Sequence, residues 1–177
     1  MAEKQHGRLP EELAARFEEL SPAERITAML TNKSPGDQRF LSIFIEKLCT
    51  LREIRPLSPT SNLTVFAFKV DRFYCNPSGN LHGGAQSAIY DVCTSLALQS
   101  IGKRDFWING GVTRTLSVTY LRPAPEGEDL LLECEIVSAG NKLALTRGVL
   151  KRERDGAIIS TCDHDKAAVP TKPGWKI

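Results

Sequence analysis

The chain has 177 residues, 41% hydrophobic and 25% charged, with a formal net charge of +2. That balance fits a globular chain with one core, leaves little room for extensive disorder, and gives no electrostatic footprint for nucleic acid. Apolar runs stay short of the roughly 18 residues a membrane span needs, and Glu3, Glu11, Glu12, Glu18, Glu19 and Glu24 make the first segment too acidic for a transit peptide.

A soluble cytoplasmic protein is expected, with mitochondrial import disfavoured. In chain order, Ser21-Pro22-Ala23-Glu24 forms a capping box and predicts a helix from Pro22. Residues 1–33 read as a helical extension and 34–177 as the main domain. After the break at Ser34-Pro35-Gly36-Asp37, Phe40, Leu41, Phe44, Ile45 and Leu48 recur at helical spacing behind a capping Asp37. From Thr50 the period shortens, and 51–56 and 63–70 read as strands around a Ser-Pro-Thr-Ser-Asn turn.

The loop Asn76-Pro77-Ser78-Gly79-Asn80-Leu81-His82-Gly83-Gly84 then runs into a helix. Ala85, Ala88, Ile89, Val92, Cys93, Leu96 and Ala97 form its single apolar stripe, and Gly102 ends it. Strands follow over 112–121, 129–137, 143–151 and 157–169, separated by Pro- and Gly-rich turns that predict an antiparallel meander. The order predicts an α+β fold in which a sheet wraps one long helix.

Five cysteines without a C-x-x-C pair read as reduced thiols, with Cys93 and Cys134 as small core residues. No metal-ligand spacing occurs, and His164, between Asp163 and Asp165, reads as a solvated strand end. Neither G-x-S-x-G, a P-loop, G-x-G-x-x-G nor H-E-x-x-H is present. What remains is the helix start at Gly83 and Gly84, whose free N–H groups suit an oxyanion or a polarised carbonyl. Asp91, seven residues on, returns to nearly the same side of the helix and is the only acid between Asp71 and Asp105. On spacing alone it is equally an exposed helix acid or a base. His82 is either a base or a ring that orients the loop, and Asn76 either caps the turn or points its amide into a site.

From residue 40 to 169 the chain resembles the hotdog-fold acyl-CoA thioesterases of the phenylacetate-pathway and thioesterase superfamily member 2 type. The resemblance rests on Asn76-x-x-Gly79-x-Leu81-His82-Gly83-Gly84 with Asp91, on Val118-Thr119-Tyr120-Leu121-x-Pro123-Ala124, on Gly127-Glu128-Asp129 and on Gly140-x-x-Leu143-Ala144. It implies two subunits joining their sheets, as a homodimer or a dimer of dimers, with active sites between them. Asn76, His82 and Gly83 would come from one subunit, and Asp91 and Thr113 from the other. Thr113 stands where the family carries a serine.

The implied reaction is hydrolysis of an acyl-CoA thioester, with no cofactor because coenzyme A is part of the substrate. Gly83 N–H would polarise the carbonyl, Asp91 would act as general base on a water or, less readily, attack directly, and Asn76 and Thr113 would fix the water or substrate. Tyr120, Leu121, Arg122, Pro123, Gly140, Asn141, Lys142, Leu143 and Lys166 would meet the CoA moiety. Two other readings stand beside it, a dehydratase or hydratase of the same fold and a non-enzymatic acyl-CoA binder.

Overall fold

The computed structural model describes residues 15–31 and 49–169; the helix expected after Asp37 lies outside them. Helix α1, Pro22–Thr31, starts at the expected box: Ser21 N–H donates to Glu24 Oε2 at 2.8 Å and Glu24 N–H to Ser21 Oγ at 3.3 Å. Its apolar side docks on the domain, and Ile26 is fully buried in the main core. The buried Arg25 guanidinium donates to Phe17 O at 2.9 Å and to Gly102 O at 2.6 Å, and lies 4.4 Å over the Phe17 ring. This segment is therefore packed into the fold it precedes.

Six strands, β1 (Thr50–Ser58), β2 (Ser61–Lys69), β3 (Val112–Tyr120), β4 (Asp129–Ala139), β5 (Leu143–Arg152) and β6 (Ile158–Ala167), form one antiparallel sheet in the order β1-β2-β4-β5-β6-β3. Helix α2, Gly83–Gln99, lies against its inner face. Period-two alternation selects that face: Leu130, Leu132, Cys134 and Ile136 of β4, and Ala144, Thr146, Gly148 and Leu150 of β5, are all buried. All five cysteines are free, and Cys93 and Cys134 are fully buried.

The simple meander is corrected at one point. Strands β4, β5 and β6 follow one another, but β3 pairs with β6 at the far edge, and β4 enters beside β2. The chain after Tyr120 does not turn back on itself, because Pro123 and Pro125 have no N–H to give a ladder. It passes the start of α2 instead, where Leu81 N–H donates to Ala124 O at 2.8 Å, Glu126 N–H to Gly79 O at 2.9 Å and Gly127 N–H to Val70 O at 2.9 Å.

Helix α2 has two unlike buried sides. Ile89, Cys93, Leu96 and Ala97 pack into the apolar core, whereas Gln86, Tyr90 and Thr94 face the sheet through polar atoms. The Tyr90 hydroxyl lies 2.8 Å from Ser160 Oγ and accepts from Leu150 N–H at 3.2 Å, while Ser160 Oγ lies 2.7 Å from Gln86 Oε1. Gly148 makes room for that ring, since a Cβ there would stand 2.5 Å from Tyr90 Cδ1. Gly148→Ala is expected to destabilise the protein by about 1–3 kcal/mol through overpacking, measured by denaturant unfolding; an unchanged midpoint would show that the ring can retreat.

Candidate active site

The loop before α2 is built by its own side chains. Asn76 Oδ1 accepts from Ser78 N–H at 3.0 Å and from Asn80 N–H at 3.1 Å, so the carboxamide oxygen is spent on the turn and the Nδ2 donors remain. Gly79, at φ +75°, supplies the left-handed residue the turn requires. His82 caps the helix: its backbone N–H donates to Tyr74 O at 2.8 Å, and its Nδ1 accepts from Gly84 N–H at 2.9 Å. With Nδ1 accepting, the ring proton sits on Nε2, and the side chain orients the loop through its inner nitrogen. Gly83 is the first helical residue, so its N–H belongs to the unpaired donors at the positive end of α2. Tyr120 closes this end, its ring against Gly83 and its hydroxyl donating to Gly83 O at 2.9 Å, with Ser87 Oγ 2.8 Å away.

Asp91 lies eight residues further along α2, roughly 12 Å up the axis. Thr113 Oγ1 donates to its Oδ1 at 2.5 Å and lies 2.9 Å from His164 Nε2; His164 Nδ1 is 2.6 Å from Thr94 Oγ1. The Thr94 hydroxyl donates to Tyr90 O at 2.7 Å and the Thr113 hydroxyl to Asp91, so the imidazole lies between two hydroxyl oxygens, either of which can accept its ring N–H. The Asp91 side chain keeps 47% of its surface, so water reaches the carboxylate, whereas His164 has none.

His164 is the clearest departure from the sequence reading. It is a buried partner of the acid and not a solvated strand end, because β6 alternation turns Asp163 and Asp165 outward to Arg147 and Arg114. That alternation was the available signal. Burial pushes the imidazole down to about 4, with Lys166 adding to the shift and Asp91 opposing it.

The remaining expected residues fall into two groups. Leu121, Arg122 and Pro123 are exposed beside Tyr120 at the Gly83 end, with Arg122 Nη1 donating to Ile158 O at 2.8 Å. Gly140, Asn141, Lys142 and Leu143 are exposed on the β4–β5 turn at the opposite end of the sheet, where Leu143 and Val112 both align with Ala167. Lys166 is 2% exposed, and its ammonium lies inside the fold, donating to Ser95 Oγ at 2.6 Å. Thr113 and Tyr120, at the two ends of β3, are about 23 Å apart along the strand. One chain thus holds these residues in two separate groups: Asn76, His82, Gly83 and Tyr120 at one end, and Asp91, Thr113 and His164 towards the other. Among the described residues no cluster of His, Cys, Asp and Glu could hold a metal ion.

Residues 78–159 match the family model described as Thioesterase superfamily. Acyl-coenzyme A thioesterase 13 of Homo sapiens is 28% identical over 116 residues, 66% of this chain and 80% of that protein. The crystal structure of zebrafish thioesterase superfamily member 2 superposes with a TM-score of 0.69 at 24% identity, covering 85% of this chain and 99% of that one. The structure of a hypothetical thioesterase protein from Streptococcus pneumoniae with coenzyme A gives a TM-score of 0.59 at 20% identity, over 70% of this chain and 87% of its own. At these identities the two structures speak for the fold.

The depressed His164 also predicts a pH dependence of stability. The unfolded imidazole takes a proton near ~6.5, the folded one only near 4, so folding is favoured above ~6.5 and loses on the order of 3 kcal/mol as pH falls towards 4. Thermal unfolding between pH 7 and 4 should show a shallower loss in His164→Gln than in the wild type; equal slopes would contradict a neutral, buried His164.

Proposed function

We propose that this chain, a thioester hydrolase carrying a hotdog domain of the thioesterase superfamily, cleaves acyl-CoA thioesters at sites assembled from two copies of itself. The observation that carries the reading is the carboxylate of Asp91, water-accessible yet held by Thr113 at 2.5 Å with His164 behind it. A surface acid has no need of such a frame; a general base does. The acyl-CoA substrate class agrees with a relative named acyl-coenzyme A thioesterase 13 and with a similar fold solved with coenzyme A.

In this mechanism Gly83 N–H, at the start of α2, polarises the thioester carbonyl and holds the developing oxyanion. One such donor contributes about 3 kcal/mol. The Asn76 Nδ2 donors face the same carbonyl or the attacking water. Asp91 takes a proton from that water as it adds, Thr113 orients the carboxylate, and collapse of the tetrahedral intermediate breaks the C–S bond and expels the CoA thiolate, to which Asp91 returns the proton.

The need for two copies follows from the spread of the half-sites and from β3. That strand is an edge of the sheet, with Val112 and Tyr120 exposed at its ends. An unpaired edge invites a second strand. Two-fold antiparallel pairing of β3 with its counterpart sets the Thr113 end of one chain beside the Tyr120 end of the other. Asp91 of one copy then approaches Gly83 and Asn76 of its partner, and Arg122 and Lys142 come within range of one CoA.

The test uses two inactive variants. Asp91→Asn and Asn76→Ala are each expected to lose at least ~100-fold in acyl-CoA hydrolysis, followed by thiol release across a panel of acyl groups. Unfolded together and refolded as a mixture, they should regain about a quarter of wild-type activity, because half the dimers carry one intact site. No recovery would place each site within one chain, and near-normal turnover by Asp91→Asn would remove the base.

A further inference from the structure

Once the acid and its hydroxyl partners are in place, one buried charge on the same seam is left without a task. Lys166 is 2% exposed, on the inward face of β6 that also carries Cys162 and His164. Its register partners are Thr113 of β3 and Ala144 of β5, so the lysine lies directly beside the strand position that holds Asp91. Its ammonium donates to Ser95 Oγ at 2.6 Å, and Ser95 Oγ in turn donates to the backbone oxygen of Asp91 at 2.5 Å.

A buried ammonium is costly without an anion nearby. The groups that face it can be counted by element. Helix α2 offers the carboxylate of Asp91, β3 the uncharged Thr113, β5 the methyl of Ala144, and β6 itself the neutral His164; Asp165 turns outward to Arg114 at 3.0 Å. Asp91 is therefore the anion on this face among the described residues. Ser95 stands one helical turn after Asp91, on the same side of α2, and its hydroxyl is held between the lysine and the helix backbone.

We infer that Lys166 is a positioning residue for Asp91, acting with Ser95 from inside the same subunit, and not a partner of the CoA phosphates. The inference rests on the proposed role of Asp91. Thr113 of β3 holds the carboxylate with His164 of β6 behind it, and the lysine, two residues further along β6, supplies positive potential that keeps the acid turned towards Thr113. A phosphate-binding lysine would instead need its ammonium at the rim, where Arg122 and Lys142 are exposed. Burial draws the Lys166 ammonium down to about 8, with Asp91 opposing. The support is thus present below that pH and fades as pH rises through it.

Two measurements on the full chain decide the matter. In steady-state hydrolysis of an acyl-CoA, Lys166→Met is expected to lower kcat by about tenfold or more, to leave KM within about twofold, and to remove a fall in kcat above pH ~8 seen in the wild type. Ser95→Ala, which keeps the ammonium and removes the bridge, should lower kcat less, again with KM unchanged. A rise in KM of tenfold, suppressed by salt and with kcat intact, would make Lys166 a phosphate contact and overturn the inference.

The second measurement does not depend on turnover. The Lys166 side chain, followed by NMR, should titrate near 8 in the wild type and at a lower pH in Asp91→Asn, which loses the anion. An ordinary lysine midpoint near ~10.4, or one that ignores Asp91→Asn, would overturn the inference whether or not the substrate class is right. If the wild type hydrolyses no acyl-CoA but Lys166 responds to Asp91, the coupling stands and the substrate reading fails.

Discussion

The fold and the site both depend on a buried polar seam between α2 and β6. Ser160, His164 and Lys166 project from alternate positions of the strand and meet Gln86, Tyr90, Thr94 and Ser95 of the helix. Each contact is directional, so the seam does what an apolar seam cannot: it fixes the rotation and height of the helix on the sheet. A rotation of one residue, ~100°, would strand these donors and acceptors in a dry interface at 1–3 kcal/mol each. The aim of Asp91 at Thr113 is a consequence of that registration.

The same helix is pinned at both ends. At its start His82 ties the loop to Tyr74 and to Gly84 N–H, and the Tyr120 hydroxyl holds Gly83 O. Past its end Arg25 takes Gly102 O, and Trp107, held at φ +53° with its indole N–H on Gly140 O, packs with Leu98 and Ile136. A non-glycine residue in that region is uncommon and persists only where its surroundings enforce it. Here the enforcement comes from a buried ring whose face blocks any Cβ at Gly111. Helix α1 thus helps to fix the far end of α2.

Much of this was legible in the chain, and the failures are of one kind. The loop from Asn76, the helix from Gly83, and the strands emerge from turn chemistry and periodicity because those signals are local. The place of β3 does not, since pairing with β6 joins residues about 50 apart, and the segment between Tyr120 and Asp129 looks like a hairpin turn until Ala124 is seen buried under the loop. His164 was hidden by its neighbours: two aspartates suggest solvent, yet in a strand they occupy the opposite face. Reading Ser160, Cys162, His164 and Lys166 as one face would have exposed a polar inner stripe. That such a stripe meets Thr94 and Ser95 depends on helix rotation, which no local pattern encodes.

Distance decides how such a chain can catalyse. The donor at Gly83 and the acid at Asp91 are both fixed on one rigid rod, roughly 12 Å apart, by the contacts that stabilise the fold. Neither can move towards the other without breaking the seam. A thioester carbonyl and its attacking water span only a few ångströms, so a single copy holds the parts of a site at a spacing at which they cannot cooperate. The proposed pairing of the exposed edge strand between those parts would resolve the conflict, because a two-fold axis beside it would convert separation along the strand into proximity across it. In the proposed dimer, the stiffness that separates these groups in one chain would become the precision with which two chains bring them together.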